Sequence, residues 1–142
     1  MAEQISIFIE NKEGRLAEVT AILRDAGVNI RALSLADTTD FGVLRLIVND
    51  NEKATAALRS QGFTVGKTRV LAVEVNDVPG GLNRVLDPLS EQDVNVEYMY
   101  AFANPQCKNA IMIFRFDDIE KAKTILTEQG IKVIDKEEIS NL

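Results

Sequence analysis

The chain has 142 residues, 46% hydrophobic and 27% charged, with a formal charge of -6, which fits one ordinary globular domain or two very small ones. Its 0 His, 0 Trp and 1 Cys exclude Ser-His-Asp and Cys-His nucleophile systems, zinc sites built on His or paired Cys, and any intrachain disulfide. The negative charge repels phosphate backbones and argues against a nucleic-acid partner.

Met1-Ala2-Glu3-Gln4 shows no basic region ahead of an apolar run, and no stretch approaches the roughly 18 apolar residues of a membrane span. A cytoplasmic protein is expected, without membrane contact. Ile5, Ile7 and Ile9 alternate with more polar residues, the period of a half-buried strand. Leu16, Val19, Ile22, Leu23 and Ala26 then recur at helical spacing, with Gly27 placed to end the helix in a left-handed turn. Two β-rich runs follow, Asn29 to Ala36 and Val43 to Val48, joined by the turn residues Asp37-Thr38-Thr39-Asp40. A second helix spans about Glu52 to Gln61, capped by Asp50 and closed by Gly62, and a short strand covers Phe63 to Val65.

From there the pattern repeats. A shift of 66 pairs Gly14 with Gly80, Leu16 with Leu82, Val19 with Val85 and Val28-Asn29 with Val94-Asn95. Beyond residue 50 a shift of 68 pairs Asp50 with Asp118, Glu52-Lys53-Ala54 with Glu120-Lys121-Ala122, and Gln61-Gly62 with Gln129-Gly130. A two-residue insertion in the hairpin of the second copy accounts for the change. The second copy therefore has a strand at Leu71, Val73 and Val75, then a helix through Leu82, Val85, Leu86 and Leu89. Asp93 stands for Gly27, and Pro88 removes a hydrogen bond if that helix runs through it. Strands follow at Asn95 to Ala103 and Ala110 to Phe116, joined through Asn104-Pro105; then a helix at about Ile119 to Gln129 and a strand at Ile131 to Ile134.

The order βαββαβ, met twice, predicts an α+β protein of two ferredoxin-like units, residues 1–66 and 67–142, the second with a short charged tail. Each unit is a four-stranded antiparallel sheet with both helices on one face. Units this small are marginal alone, so the sheets are expected to pair side by side.

The fold serves many functions, so function rests on sites. Base stacking needs aromatics that Val43-Leu44-Arg45-Leu46-Ile47-Val48 lacks. Cys107 is read as a passive loop thiol, and Asp117-Asp118 and Glu137-Glu138 as caps and solvated charge; no metal site is expected. The loops Asn11-Lys12-Glu13-Gly14-Arg15-Leu16 and Asp77-Val78-Pro79-Gly80-Gly81-Leu82 are more informative. Each opens a helix whose free N–H groups suit a carboxylate, with Asn11 or Asp77 able to accept from an ammonium. The same residues also simply make a turn.

These loops, followed by Asp25-Ala26-Gly27-Val28-Asn29-Ile30 and Asp93-Val94-Asn95-Val96, resemble the signature of the ACT domain, the small-molecule-sensing module of amino-acid metabolism. The likeness covers about 130 residues and both copies. It implies a stand-alone tandem ACT protein, not an enzyme: an allosteric regulator with no cofactor and no catalytic residue, binding a free amino acid at the seam between two domains. Carried over by position, the loop residues are Asn11 and Asp77 and the strand residues Asn29 and Asn95. Gly14, Arg15, Leu16, Gly80, Gly81 and Leu82 complete the loops, and Ile30 and Val96 line the pocket. Pro79 has Glu13 as its counterpart. A homodimer and a metabolic enzyme partner are further expectations.

A rival reading is an oligomerising regulatory subunit without a ligand. For it, Tyr98, Tyr100 and Phe102, which stand where the first copy has Ala32, Ser34 and Ala36, are either core or a partner surface. An acyl-phosphate hydrolase would need a poised loop Arg, but Arg15 has Gly81 as its counterpart.

Overall fold

The computed structural model describes every residue except 38, 39, 104–107 and 142, and the side chain of Asp37. The elements in chain order are β1 (Ala2–Glu10), α1 (Arg15–Asp25), β2 (Ile30–Asp37), β3 (Phe41–Val48), α2 (Asn51–Ser60), β4 (Thr64–Val75), α3 (Gly81–Glu91), β5 (Val96–Ala101), β6 (Ala110–Phe116), α4 (Ile119–Glu128), β7 (Val133–Ile134) and α5 (Lys136–Ser140). The chain divides into two compact units. One is Glu3–Thr68; the other is Arg69–Leu142 together with Met1–Ala2.

In the first unit β2 pairs with β3 and β3 with β1, both antiparallel. Ile5, Ile7 and Ile9 of β1 share one core with Leu44, Leu46 and Val48 of β3, Val19 and Leu23 of α1, and Ala54 and Leu58 of α2. Alternate strand residues meet both helices, so both helices cover the same face. The second unit repeats this. β4 pairs with β6 and β7, and β6 with β5, all antiparallel. Leu71, Val73, Val75, Phe114 and Phe116 pack with Val85 and Leu89 of α3 and Ala122, Ile125 and Leu126 of α4. The phenyl rings of Phe114 and Phe116 stack at 5.3 Å. The twice-repeated βαββαβ order stands as read from the sequence.

The capping chemistry repeats as well. Asp50 accepts from the Lys53 amide and Asp118 from the Lys121 amide, each at the start of its helix. Gly27 has φ 72 and its counterpart Asp93 has φ 59, so a β-carbon is carried where glycine would be unstrained. Asp93→Gly is expected to raise stability by about 0.5–1 kcal/mol, read as a higher urea midpoint. Pro88 lies inside α3, which continues through it.

Two expectations are corrected. Phe63 to Val65 and the Leu71 strand are not separate elements: β4 runs unbroken from Thr64 to Val75. The tail is not merely charged. Asp135 caps a one-turn helix through its side chain, and Ile139 on that helix is buried. The turn at Thr38-Thr39 and the residues Asn104, Pro105 and Cys107 lie outside the described residues. The insertion is visible in a repeated hydrogen bond: Asn29 N–H donates to Asn49 across 20 positions, and Asn95 N–H to Asp117 across 22.

Candidate functional site

Each first loop ends on a glycine in the left-handed region, Gly14 and Gly80, both with φ 82. A side chain is disfavoured there by conformation, since a β-carbon at either position would meet nothing within 4 Å. The two glycines cap α1 and α3 without any side-chain hydrogen bond. Glu18 N–H returns to the Gly14 carbonyl and Arg84 N–H to that of Gly80, leaving the N–H groups of Leu16 and Leu82 without an acceptor among the described residues. Open N–H groups at a helix start attract carboxylates. Asn11 and Asp77 are exposed beside them. Leu16 packs against the first core, while Leu82 is among the exposed large apolar residues.

Arg15 and Gly81 hold equivalent positions but do different work. Arg15 binds Glu10 at 2.9 Å and Glu18 at 3.0 Å. Hydrogen bonding from Arg15, and then its charge, hold the Glu10 carboxyl below its usual range; the bonds to Glu10 and Glu18 raise the Arg15 guanidinium in turn. A ligand carboxylate at Arg15 has to compete with two carboxylates already seated. The i, i+3 spacing of Arg15 and Glu18 was the available sequence signal for this. Gly81 is buried, and a β-carbon there would stand 1.9 Å from the carbonyl oxygen of Asn76.

The strand residues share one arrangement. Asn29 gives its N–H to Asn49 Oδ1 at 2.9 Å and receives the Asn49 N–H on its carbonyl at 3.2 Å. Asn95 makes the same pair of bonds with Asp117, at 3.0 and 3.2 Å. The backbone is pinned while both residues remain exposed. Asn49 went unnoticed in the sequence and Asp117 was read only as capping or solvated charge, although the shift of 68 superposes them. In the second unit Asn95 and the half-buried Val96 line a hollow with Leu86, Leu89 and Ser90. Ile30, the counterpart of Val96, is also half-buried.

Strand register separates loop from strand start within each unit. Glu10, where the first loop begins, faces Phe41, whereas Ile30 faces Val48. Those partners stand seven residues apart on β3, roughly 23 Å at 3.3 Å per residue. In the second unit Val75 faces Ala110 and Val96 faces Phe116, six residues apart, or roughly 20 Å. One unit therefore cannot bring its own Asn11 to its own Asn29, or its own Asp77 to its own Asn95.

Tyr100 and Phe102 are buried, so they do not form an exposed aromatic face. Among the described residues no group of three His, Cys, Asp or Glu side chains gathers to hold a metal ion. Among the described residues no helix is long and apolar enough to cross a membrane.

The family model described as an ACT domain pair matches residues 1–142. The solved protein BT0572 from Bacteroides thetaiotaomicron is 40% identical, with a TM-score of 0.92 over 99% of this chain and 96% of that one. The ligand-free regulatory subunit of aspartate kinase from Thermus thermophilus is 15% identical, with a TM-score of 0.63 over 89% and 91% of the two chains. That from Thermus flavus is 14% identical, at 0.62 over 90% and 92%. At such identities the likeness to the kinase subunits is one of fold. No curated protein matches the chain.

Proposed function

The chain belongs to the family of ACT domain pairs, and from that premise we propose that it is a regulatory protein that senses a free amino acid, not an enzyme. The reading rests on the pinned and exposed Asn95 beside the apolar wall of Leu86 and Val96. A polar anchor next to an apolar wall is what a small molecule with a charged end and a side chain needs. The carboxylate docks on the open N–H groups of a first loop, at Leu16 or Leu82, and the ammonium on Asn or Asp oxygens. Because a unit's own loop and strand start lie at opposite ends of its sheet, the ligand bridges the loop of one ACT unit and the strand start of another. Binding then shifts the pairing of units by its differential affinity for the paired state.

A second copy of the chain is a source of such a pairing. The strand β2 lies at the outer edge of the first unit's sheet, with Leu33 and Leu35 about half exposed. Unpaired apolar edges of this kind take another strand. A metabolic enzyme that reads the paired state is the expected partner. Calorimetric titration with the twenty amino acids, run at two protein concentrations, tests the reading. Saturable binding of at least one amino acid is expected; no heat from any at millimolar concentration overturns it.

A further inference from the structure

The second unit holds a cleft of about 170 Å³ at the end of its sheet that carries the first loop, remote from Asn95. Its charged and polar lining comes from separate elements: Glu74 on β4, Asn76 just after it, Arg84 on α3, Asn109 just before β6, and Lys132 just before β7. Val85 and Ile131 supply apolar wall.

These groups are only partly satisfied by one another. Asn109 Nδ2 donates to Glu74 Oε1 at 3.1 Å, leaving the other carboxylate oxygen without a partner among the described residues. Lys132 reaches Glu138 at 3.4 Å. The Arg84 guanidinium has no ion pair or side-chain hydrogen bond among the described residues. The cleft thus presents a fork of N–H donors and a carboxylate oxygen, with amides between them. At roughly 30 Å³ per water, its volume holds five or six waters, the size of a small amino acid and well below a nucleotide.

The first unit supplies an internal control. The same place in its fold is a cleft of about 220 Å³ lined by Phe8, Glu10, Arg15, Phe41, Phe63 and Thr64. By the repeat, Phe8 replaces Glu74, Phe41 replaces Asn109, Glu18 replaces Arg84 and Thr64 replaces Lys132. Among the described residues the cation that lines it, Arg15, is already held by Glu10 and Glu18.

The geometry points to a ligand site wholly within the second unit, for a small zwitterion whose carboxylate lies on Arg84 and whose ammonium lies on Glu74. It adjoins the first loop that the seam proposed above also uses, but it needs no second unit and does not depend on that reading. Arg84 offers the bidentate geometry that carboxylates favour, and both contacts are charge-assisted. The first unit's cleft takes no such ligand.

The test is an amide-resolved NMR titration of the full chain with glycine, L-alanine, L-serine and L-aspartate, set against sodium acetate and methylammonium chloride. At least one amino acid is expected to shift the amides of Gly81, Arg84 and Gly130 saturably, while Gly62 and Arg15 stay still. Acetate and methylammonium are each expected to bind at least tenfold more weakly. Glu74→Gln and Arg84→Ala should each weaken the response tenfold or more, with amide spectra that otherwise match the parent. Three results overturn the site: no amino acid moving these amides at tens of millimolar, acetate alone reproducing the response at equal affinity, or Asn29→Ala or Asn95→Ala abolishing it, which assigns the response to the seam.

Discussion

Gly81→Ala is expected to lower the stability of the second unit by about 3 kcal/mol, although it adds one methyl group. The new β-carbon would stand 1.9 Å from the Asn76 carbonyl oxygen and 3.0 Å from its carbon. That carbonyl is fixed, because it already accepts the Val78 N–H at 2.9 Å, while Gly81 N–H is held by Val78 at 3.0 Å. The loop has closed into space that only glycine leaves open. In the first unit, where Arg15 carries a side chain, the equivalent Arg15-to-Lys12 bond is longer, 3.4 Å. Gly66→Ala serves as the control, since its β-carbon would meet nothing within 4 Å. Denaturant unfolding reads the difference, and equal midpoints for the two variants would refute the clash.

Asn29→Ala and Asn95→Ala are each expected to weaken amino-acid binding at a seam by about 1–3 kcal/mol, or roughly 5- to 150-fold. The fold should survive, because the bonds to Asn49 and Asp117 use the backbone of these residues and not their side chains. The variants therefore separate ligand contact from strand pinning. The loops add an asymmetry. Asp77 offers a full charge to an ammonium, whereas Arg15, flanked by Glu10 and Glu18, has its charge offset. Unequal seams follow, the tighter containing Asp77. Calorimetry of both single variants checks this, and unchanged affinity in both removes these residues from the site.

Much of the fold was legible because local chemistry and global pattern agree. Asp50 and Asp118 as caps, and Gly27 and Asp93 as left-handed stops, read directly from residue type and repeat position. The unbroken β4 did not. Lys67, Thr68 and Arg69 are polar residues at the junction of the two copies, where no alternation of apolar residues marks a strand. The tail helix is too short for periodicity to register, so its cap Asp135 and buried Ile139 emerge only from packing. Site residues could be named by position, but their placement at opposite ends of each sheet depends on strand register, which side-chain alternation does not encode. The steric demand at Gly81 depends on the path of a loop, and no residue-type rule anticipates it.

The bonds that hold the two second strands differ in one acceptor. Asn29 N–H rests on the neutral amide of Asn49, whereas Asn95 N–H rests on the carboxylate of Asp117, an oxygen that also accepts the Asp118 N–H. Charge-assisted bonds are roughly twice as strong as neutral ones, and a protected amide proton exchanges only when its bond opens. In deuterated solvent the Asn95 proton should therefore outlast that of Asn29, as amide exchange followed residue by residue would record. A molecule docking at the Asn95 end finds its strand already quiet. One docking at Asn29 has first to still a more restless strand, and loses part of its affinity to that ordering.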